Sequence, residues 1–141
     1  MSDGPFPSLD VSASALAAER LRMNVIATNI ANANVVNTPE GGPYKKRVVL
    51  FEPIFNDIAR GLKPAPTLGV RARVDVDKTP GERVHDPSNP YADPQGYVEH
   101  SNVKPMFEMV DLMLSARSYE ANLSAMKAYR EMVMRTIQMG R

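Results

Sequence analysis

The stretch Asn24–Tyr44, NVIATNIANANVVNTPEGGPY, carries five asparagines within fourteen residues at the end of a segment that otherwise favours helix. Asparagine is a poor helix former because its short amide competes with the backbone for hydrogen bonds. Thr38-Pro39 disfavours the helical conformation at Thr38, and Gly41-Gly42-Pro43 follows directly. We therefore predict that a helix ends near Asn34 and that the asparagine side chains form a row that makes contacts with other groups.

Residues 8–34, which include the first part of this stretch, have the pattern of a helix with a heptad seam. Leu9, Leu16, Met23 and Ile30 recur every seven residues, and Arg20 interrupts the intermediate positions. Alanine fills many of the other positions, which favours helix and lets another helix approach closely.

One face of this helix is polar. Four side chains share an arc of about 140°, at 100° per residue: Asn24, Thr28, Asn29 and Asn32. An amide both donates and accepts hydrogen bonds, so this row could satisfy groups of a neighbouring subunit and fix its register. The alternative is helix termination and local capping, which suits Asn34 and Asn37 best.

Residues 103–140 predict a second, longer helix. Ser101-Asn102 offers a cap and Pro105 fits the first turn. Seam positions then alternate spacings of three and four: Met109, Leu112, Ala116, Tyr119, Leu123, Met126, Arg130, Val133 and Ile137. Seven of the nine methionines lie here, and their adaptable side chains suit either several non-identical neighbours or ordinary core filling.

Residues 35–102 hold most of the prolines and glycines and predict a small β-rich insert. The runs RVVLFEPIF (47–55) and GVRARVDVDK (69–78) have the composition and alternation of strands. The segment HDPSNPYADPQGYV (85–98) has three Asx-Pro pairs, which indicates a turn-rich loop before a short strand near Tyr97-Val98. We therefore predict an α+β fold, with a coiled-coil-like domain formed by 8–34 and 103–140 and an insert domain at 35–102.

The predicted helices are roughly 40 and 50 Å long, so an insert of this size cannot cover both. The alanine-rich and methionine-rich sides would face water unless subunits stack. The sequence therefore favours self-association.

The composition excludes several classes of function. A chain of 141 residues with 43% hydrophobic and 23% charged residues is long enough for one ordinary domain and has a globular composition. Its net charge of +1 implies neither nucleic acid nor an anionic membrane as a partner. The basic run Lys45-Lys46-Arg47 is more typical of a solvated loop or strand end than of a binding patch. The absence of cysteine removes disulfides and thiolate chemistry, and no apolar run is long enough for a signal peptide or a membrane span.

Catalysis is a weak interpretation of this sequence. His85 and His100 are the only histidines, and His85 beside Asp86, with Asp93 nearby, matches no metal-ligand or acid–base motif. A turn stabilised by Asx-Pro pairs accounts for these residues. We expect no catalytic residue, no metal and no cofactor.

Two long motifs resemble those of a known family. They are similar to the terminal motifs of bacterial flagellar rod and hook proteins. The first is SALAAERLRMNVIATNIANANVVNTPEGGPYKKR (14–47), and the second is MVDLMLSARSYEANLSAMKA (109–128). The short insert, the TPEGGPY turn and the 85–98 loop followed by Asn102-Val103 resemble the proximal-rod members most.

The resemblance implies a structural subunit of the flagellar basal-body rod, which spans the periplasm. It implies export through the flagellar type III apparatus without a cleaved signal peptide, followed by helical assembly with itself and with other proximal and distal rod proteins. In that family the paired terminal helices form the inner layer around the export channel, and the rod transmits torque. Neither nucleic acid nor direct lipid insertion is expected.

The residues that we expect at subunit interfaces combine the amide row with seam positions of both helices. They are Asn24, Asn29, Asn32, Leu16, Met23, Ile30, Leu112, Tyr119, Leu123, Met126 and Val133. The alternative function is a soluble coiled-coil adaptor or export chaperone of a type III secretion system.

Overall fold

The structure, a computed structural model, describes residues 7–55 and 66–140. Its elements in chain order are α1 (Pro7–Ala31), β1 (Arg47–Phe55), β2 (Pro66–Val76), β3 (Arg83–His85), β4 (Tyr97–Glu99) and α2 (Pro105–Met139). Two long helices thus flank a small β-rich insert, which confirms the predicted α+β class. Strand β1 has the predicted bounds, whereas β3 was not predicted.

Helix α1 ends at Ala31, three residues before the predicted Asn34. The chain tightens there, with the Ala33 N–H donating to Ile30 O at 3.3 Å and the Val35 N–H donating to Asn32 O at 3.1 Å. The Asn32 side chain donates back to Thr28 O at 2.8 Å. Local amide competition therefore ends the helix before the Thr38-Pro39 pair does.

Helix α2 begins at Pro105, and Lys104 is its N-cap residue without a side-chain cap. The predicted cap at Ser101-Asn102 is therefore wrong. The Ser101 hydroxyl instead accepts the Val103 N–H at 3.2 Å, and the Asn102 amide binds the base of the β1–β2 ribbon. Pro105 can open the helix without a cap because it has no N–H to satisfy.

Strands β1 and β2 form an antiparallel ribbon in which Val49 pairs with Val74 and Phe51 pairs with Ala72. Because alternate residues of a strand share a face, these four residues lie on one apolar face. Helix α1 contacts both strands, and the Arg22 guanidinium lies 5.8 Å from the centre of the Phe51 ring. The ribbon therefore uses α1 as its second layer.

Strands β3 and β4 pair at His85 and Tyr97 and close the 86–96 loop between them. Hydrogen bonds from the Tyr97 and Gln95 N–H groups to the Asp93 carboxylate hold the pKa of Asp93 below its usual range, and Arg83 contributes to the same shift. Gly96 adopts φ +81° close to Pro87 and His85. The predicted turn-rich loop is therefore fixed by its own acidic side chains.

The two helices contact each other side by side, and the last turns of α1 meet the first turns of α2, so they run antiparallel. The buried residues of α1 are Ala18, Val25, Ile26 and Asn29, and those of α2 are Glu108 and Ser115. The predicted seam residues Leu16, Met23 and Ile30 are only half-buried, and the side chain of Leu9 lies outside the described part. The coiled-coil character of the pairing and the two-domain division stay predictions.

Candidate functional site

Asn29 lies at the point where α1, α2 and β1 meet, and its side chain is 0% exposed. Its Nδ2 donates to Arg47 O at 2.8 Å and to Glu108 Oε2 at 2.9 Å. Its Oδ1 accepts from the Tyr44 hydroxyl and from the Arg47 N–H, both at 3.0 Å. Two donors and two acceptor sites are the full capacity of an amide, so every polar site of this side chain is used. We call Asn29, Tyr44, Lys46, Arg47 and Glu108 the Asn29 junction.

The Asn29 amide binds β1 as a neighbouring strand would. Lys46 O accepts the Asp77 N–H at 2.8 Å on the side of β2. Since backbone groups of successive residues in a strand point to opposite edges, the N–H and C=O of Arg47 face away from β2. Asn29 binds both of these groups and thereby closes the outer edge of β1 where the strand begins.

Asn102 plays a matching role at the inner side of the ribbon base. Its Oδ1 accepts the Lys46 N–H at 2.7 Å, and its Nδ2 donates to Asp77 O at 3.2 Å and to Thr79 O at 3.0 Å. The segment that precedes α2 is therefore bound to the strands on either side of it. Two asparagines, Asn29 of α1 and Asn102 of the segment before α2, fix the base of the ribbon.

Glu108 brings a negative charge into this junction, and its side chain is 1% exposed. Lys46 Nζ lies 2.6 Å from Glu108 Oε1 and forms an ion pair with it, although the angles of this contact are not those of a hydrogen bond. A buried carboxylate needs such a partner because desolvation of an unpaired charge is expensive. The run Lys45–Arg47, interpreted from the sequence as a solvated loop or a strand end, does lie at the start of β1, which begins at Arg47. The Lys46 side chain is half-buried and paired with Glu108.

Burial raises the pKa of the Tyr44 phenol; nearby Arg47 opposes this shift and Glu108 adds to it. The hydroxyl therefore stays protonated and donates to Asn29. Tyr44 also packs with Ala33 and Val103 in a small apolar cluster. The junction thus has an apolar side that joins the end of α1 to the residues before α2.

The structure separates the members of the predicted amide row. Asn29 is buried inside the chain, Asn24 is exposed, and Asn32 is half-buried with its amide bound to its own helix. Asn29 therefore has an intramolecular role that differs from the interface role predicted for it. Its amide has no spare donor or acceptor for a neighbouring subunit.

The other predicted interface residues lie along the sides of the two helices. All of them are half-buried in the single chain: Leu16, Met23, Ile30, Leu112, Tyr119, Leu123, Met126 and Val133. Their role between subunits stays a prediction.

Sequence reasoning missed Glu108 and Tyr44 as functional residues. Glu108 and Asp111 are the two carboxylates within the otherwise apolar run Met106–Leu114, and that contrast is the signal that could have drawn attention to them. An acid in such a run is solvated only if its side of the helix is exposed. The sequence does not say which side of α2 faces inward, so burial became visible only in the fold.

The junction binds both helices and the insert to each other. Across residues 7–55 and 66–140, no cluster of histidine and acidic side chains has the arrangement of a metal site. The His85 ring packs edge-on against Tyr97 with centroids 5.0 Å apart, and Asp93 pairs with Arg83. Within the same described residues, neither helix is long and apolar enough to cross a membrane.

Comparison with known proteins assigns both ends of the junction to recognised segments. A family model described as flagella basal body rod protein matches residues 9–37, which include Asn29. A second model, described as the C-terminal part of flagellar basal body rod FlgEFG proteins, matches residues 95–139, which include Glu108. The two matches therefore meet in space at the Asn29–Glu108 hydrogen bond.

Similarity over nearly the full length decides the family. The chain is 39% identical to the flagellar basal-body rod protein FlgC of Bacillus subtilis, over 96% of this chain and 98% of the relative. It is 40% identical to FlgC of Salmonella typhimurium over 93% and 94%, and 39% identical to FlgC of Aquifex aeolicus over 94% and 95%. The chain belongs to the FlgC family of flagellar basal-body rod proteins.

Membership of the FlgC family gives the junction a context. The terminal segments matched by the rod-protein models are those that Asn29 and Glu108 bring together. Between the matches lie Tyr44, Lys46 and Arg47, which attach the insert to both helices. The junction therefore ties a FlgC-type insert to the helices that flank it.

Proposed function

We propose that this chain is a structural subunit of the proximal part of the flagellar rod, and that it assembles helically with itself and with other rod proteins. The observation that carries the proposal is its similarity to FlgC proteins over more than nine-tenths of both chains. A subunit of this kind transmits torque through its contacts and carries out no catalysis.

In the proposed arrangement the terminal helices, residues 8–34 and 103–140, form one domain that lines the export channel, and the insert at 35–102 lies outside it. The exposed apolar side chains of α2 support assembly. Met106, Phe107, Met113 and Met132 are 57–74% exposed in the single chain, and an apolar surface of this extent on a soluble subunit marks a contact with another protein.

The contacts of the Asn29 junction support the proposal that force is transmitted within the subunit. It connects both helices and the insert through buried hydrogen bonds and an ion pair. Torque applied to the helices would therefore reach the insert through a fixed link rather than through a hinge.

We further propose that the subunit reaches the periplasm unfolded, through the flagellar type III export apparatus and without a cleaved signal peptide. The alternative, a soluble adaptor or chaperone of the export system, would work from the cytoplasm and would be absent from the finished rod. Family membership does not favour it.

Gene deletion with electron microscopy of isolated basal bodies tests the function. We expect that cells without the chain lack the rod and do not swim, and that complementation restores both. Immunoblots of purified basal bodies should contain the chain in the complemented strain. Intact rods in the deletion strain, or basal bodies free of the chain, would contradict the proposal.

A further inference from the structure

The side of α2 that faces away from α1 is exposed along most of its length. Glu108 and Ser115 mark the inward side. The outward positions follow a spacing of three and four, which keeps them on one face. They are Met106, Val110, Met113, Arg117, Glu120, Ser124 and Ala128, and every one is exposed.

Large and small residues are separated along this face. Met106 is 74% exposed, Met113 57% and Val110 48%, and the adjoining Phe107 and Leu114 are 67% and 53% exposed. Ser124 and Ala128, further along the helix, are small. The first part of the face is therefore an uncovered apolar surface. We call the whole set of outward positions from Met106 to Ala128 the α2 outer face.

The side of α1 that faces away from α2 has the opposite character. Its exposed positions also follow a spacing of three and four: Ala13, Ala17, Arg20, Asn24, Ala27 and Ala31. Four of the six are alanine, so a second helix could approach closely. We call this set the α1 outer face.

The two outer faces lie on opposite sides of the helix pair. A contact between the α2 outer face of one subunit and the α1 outer face of the next is therefore heterologous, and each subunit keeps one face free for a further copy. Repetition of such a contact gives a ring or a helical assembly rather than a closed dimer.

We propose that the α2 outer face binds the α1 outer face of a second copy of this chain, with the two helices antiparallel. This inference rests on the proposed function, and it names the surfaces and the partner. Bulky residues on one side fit alanines on the other, as facing positions in a packed helix pair require.

Charge fixes the register of the contact. Arg20, Arg117 and Glu120 are exposed, and none of them makes an ion pair within the described residues. If Glu120 of one copy faces Arg20 of the next, antiparallel spacing places Arg117 beside Asn24. Asn24 then accepts a hydrogen bond from the guanidinium, which gives it the interface role that its exposed position allows.

The same register aligns two of the three apolar positions with alanines of α1 and leaves Met106 beyond the end of α1 at Ala31. It brings Met113 opposite Ala27 and Val110 opposite Ala31, and it leaves small residues facing small residues at the other end, Ser124 with Ala17 and Ala128 with Ala13. A shift by one heptad would separate Glu120 from Arg20 and place it opposite alanine.

Charge reversal tests the contact in a deletion strain that expresses one variant at a time. We expect Arg20→Glu or Glu120→Arg to lower the number of rods per cell about fivefold, because like charges then face each other. The double reversal should restore most of the loss. Lys78→Glu, at an exposed position after β2 that makes no ion pair within the described residues, is the matched control and should have no effect.

Cysteine cross-linking gives a second test, since the chain has no cysteine of its own. Arg20→Cys combined with Glu120→Cys should produce disulfide-linked multimers in isolated basal bodies, whereas either single variant should not. An intramolecular bond is excluded because the two positions lie on the outer sides of paired helices, beyond the reach of a disulfide.

The inference fails if single reversals leave rod numbers unchanged, if the double reversal is no better than the worse single variant, or if the cysteine pair gives no multimers in basal bodies that contain the chain. These results would leave the proposed function intact, because the deletion phenotype tests that separately. Equal melting temperatures of the purified variants would confirm that folding is unaffected.

Discussion

The side-chain amide of Asn29 binds both backbone polar groups of Arg47, accepting the N–H at 3.0 Å and donating to the C=O at 2.8 Å. One side chain of α1 thereby takes the place of a third strand beside β1. The same amide also contacts Tyr44 and Glu108. Asn29 is therefore a central contact in the attachment of the insert to the helices, beside Asn102 and the Lys46–Glu108 ion pair.

Replacement of Asn29 by alanine should destabilise the folded subunit. Each buried group left without a partner costs about 1–3 kcal/mol, and the Arg47 backbone and Tyr44 hydroxyl lose theirs together. Urea unfolding of the purified chain measures the effect. Asn32→Ala is the matched control, because Asn32 is half-buried and bonds only to its own helix; we expect a change within about 0.5 kcal/mol. Equal effects of the two variants would contradict the assigned role.

Removal of the Glu108 carboxylate should lower the free energy of unfolding, and the loss should depend on whether the new side chain can still accept a hydrogen bond. Glu108→Ala leaves the Asn29 amide and Lys46 without their partner and should lower the free energy of unfolding by about 3 kcal/mol, the lower end for a broken buried pair. Lys46 is 26% exposed and can partly turn to water. Glu108→Gln keeps an acceptor for Asn29 and should cost about half as much. Denaturant titrations of both variants would refute the prediction if alanine were the better tolerated residue.

Ser115 should tolerate loss of its hydroxyl. It is 1% exposed on the inward side of α2, and its Oγ finds no hydrogen-bond partner among the described residues. Ser115→Ala removes an unsatisfied buried group, so we expect thermal stability to be unchanged or higher. Ser115→Leu adds bulk at the helix–helix contact and should cost about 1–3 kcal/mol. Calorimetry that finds alanine clearly destabilising would show that the hydroxyl has a partner.

Two glycines should respond differently to alanine. A Cβ on Gly81 would lie 1.7 Å from His100 O, whereas a Cβ on Gly41 meets nothing within 4 Å. Gly41 has φ +90°, so Gly41→Ala carries only the strain of a left-handed conformation, about 1–2 kcal/mol. Gly81→Ala instead forces the backbone to move at His100, the residue that follows β4. We expect the larger fall in melting temperature for Gly81→Ala, and the reverse order would contradict this account.

Acid should weaken the insert through Asp93. The pKa of this carboxylate is lowered in the folded chain, first by the hydrogen bond from the Tyr97 N–H and then by Gln95 and Arg83. A lowered pKa means that its contribution is fully present above the ordinary value of about 4 and is lost as pH falls through the folded value. Stability measured from neutral pH down to this range should therefore fall less steeply in Asp93→Asn than in the wild type. Parallel pH profiles would show that Asp93 does not contribute.

The sequence by itself determined the elements of this protein except β3. Periodicity located both helices to within three residues, an apolar run located β1, and alternation located β2. The Asx-Pro pairs located the loop that contains Asp93. These signals are local, because they depend on neighbouring residues and on the spacing of side chains along one helix or strand. The resemblance to rod proteins used the same terminal motifs.

Only the tertiary structure decided how these residues are used. The asparagine row reads as one polar face, yet the rotation of α1 on β1 buries Asn29 and leaves Asn24 in solvent. Glu108 and Lys46 are separated by most of the insert, so no local pattern pairs them. Periodicity gives the face that a residue shares but not the neighbour that the face meets, and burial of a polar group depends on that neighbour.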